Sequence, residues 1–368
     1  MVLGLAHRIY VLSSPFLLDE ASQERFNLNR GGFTMNAQNQ SEKAPTSERS
    51  GRGCLWWFGA SLAALLGLML VGYIYEHIAE AADAKAYPPP GQLVDVGGYR
   101  LHINCTGTGS PTVVIDAGQG DWSTSWGLVQ QEVAKTTRIC TYDRAGMGWS
   151  ELGPLPRDAA HFAKELHTLL QNANVPGPYV MVGHSLGGAS VRVLVRDHPS
   201  DVAGVVLIES MNPGQATQPH VQAQSQSDPL SQPFSLQAAL ARFGIARLLV
   251  KLPAIATSMP AGQEAYYPLY IRPQSLQTAD NELQGIAASL PQAAAVKTFG
   301  DLPLIVLTGK LNDNPGWPQW QTELLELSSN SQHLFAENSG HNVQADEPEA
   351  AVAAIIQMVE QVRQTVKK

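Results

Sequence analysis

Tyr179-Val180-Met181-Val182-Gly183-His184-Ser185-Leu186-Gly187-Gly188-Ala189-Ser190 is the stretch on which the reading of this chain turns. Its first four residues are an apolar run that reads as a buried strand, and the residues from Leu186 onward read as a helix. Between them Gly183-His184-Ser185-Leu186-Gly187 matches G-x-S-x-G, the nucleophile elbow. A side chain at either flanking glycine would collide with the backbone of so tight a turn. The central serine is forced into a strained conformation that leaves its hydroxyl exposed, with a helix N-terminus behind it. The pentapeptide alone is a weak pattern; a strand before it and a helix after it make it specific.

A nucleophilic serine needs a base, an acid that orients the base, and donors for the oxyanion. Gln332-His333-Leu334-Phe335-Ala336 reads as a short strand, and His341 falls in the loop beyond it, before a helix from about Glu347. His341 is last in chain order, where a serine–acid–histidine series places its base, and would take the proton of Ser185 and return it to the leaving group. Leu304-Ile305-Val306-Leu307-Thr308 runs as a strand into Gly309-Lys310-Leu311-Asn312-Asp313, which makes Asp313 the first choice of acid. Glu209, at the end of the strand Val205-Val206-Leu207-Ile208, is the alternative, since an acid there can also reach the histidine. The oxyanion donors are expected from the backbone N–H of Leu186, next to the nucleophile, and of Gln119. Gln119 lies between two glycines in Ala117-Gly118-Gln119-Gly120, just past the strand Thr112–Asp116.

With Gly118-Gln119-Gly120, Tyr142-Asp143-Arg144-Ala145-Gly146-Met147-Gly148-Trp149-Ser150, the elbow, and Gly340-His341 followed by Pro348 in this order, the chain resembles the α/β-hydrolase superfamily over about residues 92–362. It departs from the common pattern in its oxyanion loop, where a His-Gly pair is frequent, and in lacking the compact Gly-x-x-Asp spacing after strand seven. The resemblance implies a mostly parallel eight-stranded sheet with helices on both faces and a helical lid between strands 6 and 7. It also implies a lidded esterase- or lipase-like serine hydrolase, which works through an acyl-enzyme and needs no cofactor or metal. A small, moderately hydrophobic carboxylic ester is the expected substrate. Amidase, thioesterase, acyltransferase and C–C hydrolase chemistry use the same triad and remain open, as does a non-catalytic ligand-binding member. Epoxide hydrolases and haloalkane dehalogenases of this fold carry aspartate at the elbow, so Ser185 argues against both.

Leu55–Tyr75 contains no charged residue, and its length would span about 31 Å as a helix, matching the hydrocarbon core of a bilayer. Lys43, Arg49 and Arg52 precede it, whereas Glu76, Glu80, Asp83 and Lys85 follow. That asymmetry places the N-terminus in the cytoplasm and the catalytic domain in the periplasm or outside the cell. A cleaved signal and a secreted product is the alternative, because Ala79-Glu80-Ala81 and Ala82-Asp83-Ala84 resemble cleavage sites. The division expected is a disordered leader over 1–54, with Met35 an alternative start, a single-pass transmembrane helix over 55–75, and a linker over 76–91. The hydrolase core then occupies 92–210 and 301–368, and the lid 211–300.

Charged residues make up 15% of the 368-residue chain and the net charge is −8, which provides no basic footprint for nucleic acid. Within the lid, Gln215–Gln232 is rich in Gln, Ser and Pro and reads as a loop. Ser235–Leu252 reads as one amphipathic helix ending before Pro253, and Glu264–Tyr270 and Glu282–Leu290 as shorter ones. Their apolar faces bury against the core and can line an acyl pocket. Cys105 and Cys140 fall in neighbouring strands, either as a disulfide in an oxidising compartment or as two buried thiols. His184 reads as a packing residue, Asp143-Arg144 as a structural brace, and Asp116 and Asp121 as groups flanking the oxyanion loop. His102, His161, His167 and His198 have no metal-ligand spacing.

Overall fold

The computed structural model describes residues 52–218, 221–222, 235–250 and 266–366. Residues 1–51 of the expected leader, with its alternative start at Met35, most of the glutamine-rich stretch, Pro253 and Glu264 lie outside the described residues, whereas residues 52–54, expected as the end of the leader, belong to the first helix.

The first described element is a long helix, α1 (Arg52–Ala86), whose apolar face runs right round it from Trp56 to Tyr75. It is long and apolar enough to cross a membrane. It does not stop at Tyr75, so residues 76–86, expected as part of a linker, are helical. The change is physical: Ala, Glu and Lys dominate this part, and all are good helix formers.

The hydrolase core follows as β1 (Gln92–Asp95), β2 (Arg100–Thr106), β3 (Thr112–Asp116), α2 (Gly127–Val133), β4 (Ile139–Tyr142), α3 (Ala159–Asn172), β5 (Tyr179–His184), α4 (Leu186–Asp197) and β6 (Val202–Ile208). After β6 come the lid helices α5 (Leu236–Ala241), α6 (Ile245–Leu249), α7 (Tyr267–Tyr270) and α8 (Pro273–Ala294). The chain closes with β7 (Leu304–Gly309), α9 (Trp317–Glu323), β8 (Ser331–Ala336), α10 (Val343–Asp346) and α11 (Pro348–Val366).

The eight strands form one sheet in the order β1-β2-β4-β3-β5-β6-β7-β8. β1 and β2 are an antiparallel hairpin, β2 meets β4 antiparallel, and every pairing from β4 through β8 is parallel. Alternating side chains serve opposite layers. Val114 and Met181 pack with Leu166, Leu169, Leu170 and Leu194 of α3 and α4, while Val113, Ile115, Val180 and Val182 pack with Val129, Val133, Ile355 and Met358 of α2 and α11. Both sheet faces are thus covered, as the apolar character of β3 and β5 requires.

The lid differs in detail from expectation. Gly244 adopts φ 72, a left-handed conformation that breaks the expected helix over Ser235–Leu252 into α5 and α6. Conversely, α8 is one helix of 22 residues that begins on Pro273 and continues past Pro291. Cys105 and Cys140 face each other across β2 and β4 with Cα atoms 4.0 Å apart and form a disulfide. Cys105 is exposed, so the reading of two buried free thiols does not hold.

Candidate active site

Parallel strands deliver their C-terminal ends to one edge of a sheet, and open α/β sheets collect their functional loops there. β5 ends in the elbow. Ser185 sits at φ 50, ψ −119 between β5 and α4 and is only partly buried. A Cβ on Gly183 would come within 2.6 Å of the Cα of Gly188, and one on Gly187 would run into the carbonyl oxygens of Asp116 and Ala117. The strain is held by backbone bonds: the Ser185 N–H donates to Ile208 O at 3.3 Å, and the Ser185 carbonyl accepts from Met211 N–H at 3.0 Å.

His341, in the loop after β8, places Nε2 3.0 Å from Ser185 Oγ. Its Nδ1 lies 3.1 Å from Glu209 Oε2. Glu209 follows β6, is fully buried, and shares with Ser185 a positive φ, here 45°. Its two oxygens accept from three donors: the Gly309 N–H at 2.7 Å, the Asn312 Nδ2 at 2.6 Å, and the imidazole. Asp313, the first choice from the sequence, is exposed and makes no hydrogen bond or ion pair with His341 among the described residues. The acid that touches the histidine is therefore Glu209. The reason lies in the loop conformation: the chain leaving β7 turns Asn312 inward onto Glu209 and leaves Asp313 outside.

The imidazole is fixed by its surroundings as well. Trp317 meets it in a T-shaped arrangement with ring centroids 5.2 Å apart. The carbonyl of His341 accepts from His184 Nε2 at 2.9 Å, so His184 braces the backbone of the base. Burial, and then the neighbouring His341, push the His184 ring down to about 3, which keeps it neutral.

On the other side of Ser185 runs the turn after β3. A Cβ on Gly118 would lie 2.8 Å from His184 Nδ1 and 3.3 Å from Ser185 Cβ, so this loop passes directly over the elbow. The N–H of Leu186 opens α4 and belongs to the first-turn groups that have no partner within a helix. The Gln119 side chain is turned away, its Nε2 donating to Ala279 O of α8 at 2.7 Å. Gly120 N–H donates to Glu282 Oε2 at 2.8 Å and so is engaged, whereas the Gly118 and Gln119 N–H groups make no backbone or side-chain hydrogen bond among the described residues.

Sequence reading missed Glu282, which organises this loop. Arg144, buried behind the loop, holds Asp116 at 2.9 Å, Ala117 O at 2.7 Å and Gly118 O, and grips Glu282 by two bonds of 2.7 and 3.0 Å. Burial alone would lower the guanidinium pKa, but Glu282 and Asp116 hold it above its usual range. Arg144 is thus the brace expected of it. Asp143 is a second one, with His102 at 2.9 Å and the N–H groups of Ser123 and Trp149 at 3.0 Å. Leu186 packs with Phe162, Met211, Val221 and Leu290, an apolar wall from core and lid beside the nucleophile.

The model for the alpha/beta hydrolase family matches residues 101–355. The chain belongs to that family. It is 36% identical over 126 residues to a probable transporter, efuK, of Hormonema carpetanum, covering 32% of this chain but only 18% of that protein. An uncharacterized protein, YqjL, of Bacillus subtilis is 27% identical over 256 residues, 68% of this chain and 83% of its own length. Among solved structures, the epoxide hydrolase CorEH aligns with 74% of this chain and 98% of its own at a TM-score of 0.57 and 18% identity, a likeness of fold.

Away from the elbow, His167, His198 and Asp201 bring their ligand atoms within 4.8 Å of one another, which their sequence spacing does not reveal. The two imidazoles are stacked, 3.5 Å apart and 1° from parallel. Lone pairs lie in the ring planes, so parallel rings do not aim at one ion. The arrangement does not make a metal centre.

Proposed function

We propose that this protein is a membrane-anchored serine hydrolase that cleaves carboxylic esters. The observation that carries the reading is the relay Ser185 Oγ–His341 Nε2 at 3.0 Å and His341 Nδ1–Glu209 Oε2 at 3.1 Å. His341 removes the serine proton as Oγ attacks the ester carbonyl, and Glu209 stabilises the imidazolium and fixes the tautomer that leaves Nε2 free. The N–H groups of Leu186 and Gln119 receive the oxyanion, each expected to contribute about 100- to 1,000-fold in rate. His341 then protonates the departing alcohol, and water repeats the sequence to release the acid.

A serine at the elbow favours an acyl-enzyme over the alkyl-enzyme chemistry of the aspartate members. The apolar wall of Leu186, Met211 and Leu290 favours an acyl group over a charged metabolite. Amide and thioester substrates use the same relay and are distinguished by assay. α1 supports a single-pass anchor. The basic flank before it and the Cys105–Cys140 bridge favour a domain on the oxidising side of the membrane.

Purified protein should hydrolyse short p-nitrophenyl esters, and Ser185→Ala should abolish this. Folded protein no more active than Ser185→Ala on acetate, butyrate and octanoate esters would refute the catalytic reading. Release by alkaline carbonate would refute the anchor.

A further inference from the structure

The outer part of α1 is built into the lid. Arg247 of α6 pairs with Glu76 and with Asp83 of α1, each at 2.7 Å, and all three side chains are largely buried. One turn nearer the apolar run, the Phe243-Gly244 corner between α5 and α6 lies on the helix itself. A Cβ on Gly72 would stand 3.1 Å from the Phe243 carbonyl carbon, and one on Gly244 would stand 2.6 Å from the Tyr75 ring. Backbone thus meets backbone, and the ion pairs fix the register.

This contact sets the height of the lid. At about 1.5 Å per residue, Gly72 lies about 4.5 Å inside the end of the apolar run at Tyr75. The polar layer of a bilayer adds roughly 5–8 Å beyond each side of its hydrocarbon core. A corner resting on Gly72 therefore sits just inside the boundary between acyl chains and headgroups, within a side chain's length of the headgroup layer. The two helices that meet at this corner expose leucines: Leu236 by 59%, Leu240 by 36%, Leu248 by 59% and Leu249 by 45%. α5 also packs on α8, the helix that carries Glu282 and that packs Leu290 against Leu186.

We propose that the exposed leucines of α5 and α6 lie in the headgroup layer of the bilayer that holds α1, and that Ser185 takes its substrate from that bilayer. The partner is a phospholipid surface, and the substrate class is an amphiphilic acyl ester whose chain resides in the membrane. The proposal rests on the anchor and hydrolase readings above. It adds that the lid, and not α1 alone, is a membrane-contacting part.

The test uses full-length protein carrying Cys54→Ser and Ser185→Ala, reconstituted in phosphatidylcholine vesicles. Leu240→Cys, Leu248→Cys and, for comparison, Leu128→Cys on α2 each receive a bimane probe. Lipids with a doxyl group near the headgroup should quench the probes at 240 and 248 and leave that at 128 bright. Equal quenching at all three positions, or none, overturns the proposal. Loss of flotation with the vesicles points instead to failure of the anchor reading. Activity supplies a second arm with Ser185 intact. Leu248→Glu should lower hydrolysis of a vesicle-borne long-chain ester by about tenfold and leave a soluble short ester unchanged. No change on the vesicle-borne ester, or equal loss on both, overturns the substrate source. Retained short-ester activity shows that the hydrolase reading survives.

Discussion

Replacing Glu209 with glutamine conserves shape and volume but changes what the neighbours meet. Three donors converge on the carboxylate: Gly309 N–H at 2.7 Å, Asn312 Nδ2 at 2.6 Å and His341 Nδ1 at 3.1 Å. A carboxylate accepts from all three, whereas an amide offers one oxygen and one donor group. With the amide oxygen toward Gly309, the NH2 confronts Asn312 and Nδ1, and the imidazole must turn Nδ1 into an acceptor. Its proton then sits on Nε2, the atom that must take the proton of Ser185. With the oxygen toward His341, the NH2 opposes a buried backbone N–H, at a cost of about 1–3 kcal/mol. The first arrangement is the cheaper, so Glu209→Gln should lose about 10⁴-fold in kcat, or about 5 kcal/mol of transition-state stabilisation. KM and melting temperature should change little. The assay is p-nitrophenyl butyrate turnover, normalised to sites titrated with a fluorophosphonate, with Asp313→Asn alongside. Exposed Asp313 should tolerate the change within about twofold. The reverse ranking would move the acid to Asp313 and refute the argument from donor geometry.

Glu282→Gln should reduce kcat by about tenfold or more at nearly constant KM, because one clamp holds both ends of the oxyanion loop; wild-type kcat would show that Glu282 serves stability alone. His184 titrates near 6.5 when unfolded and at about 3 in the fold, so its stabilisation is complete above pH 6.5 and is lost as pH falls toward 3. Over that window it should cost about 1.4 kcal/mol per pH unit, and calorimetry between pH 4 and 7 should find a shallower slope for His184→Gln. Identical slopes would contradict a buried neutral imidazole. Replacing Cys105 and Cys140 together with alanine should lower stability to denaturant by about 2–4 kcal/mol, and an unshifted midpoint would count against a bridge in the purified protein.

Much of the fold was legible because its signals are local. The apolar runs at 112–116, 179–184, 202–208 and 304–309, the glycines around Ser185, and the strand-then-loop setting of Gly340-His341 are written into short segments. The choice between Glu209 and Asp313 was not local. Both follow strands that end at the same sheet edge, and the outcome depends on how the loop after β7 folds Asn312 inward. Glu282 was invisible for a related reason. On a helical wheel it is one acid in a polar lid segment, and its value comes from Arg144, 138 residues earlier, reaching it across the loop. The break at Gly244 carried a readable signal in the glycine itself, but an amphipathic pattern on both sides of it outweighed that signal. The extension of α1 past Tyr75 could have been read from its Ala and Glu content. Its grip on Arg247 could not, because Glu76 and Asp83 look like solvated charges until the lid covers them.

The central claim is that Ser185 is a nucleophile driven by His341. The most direct measurement is the site of covalent modification by a fluorophosphonate in the full-length protein, read by mass spectrometry of the digested adduct. The phosphonyl group should be found on Ser185, at one per chain, and should vanish in Ser185→Ala. Labelling of His341→Ala should slow by several orders of magnitude, since His341 Nε2 is the base that hydrogen-bonds Oγ among the described residues. Folded protein that remains unmodified, or that is modified on another residue at an undiminished rate in Ser185→Ala, would contradict the account.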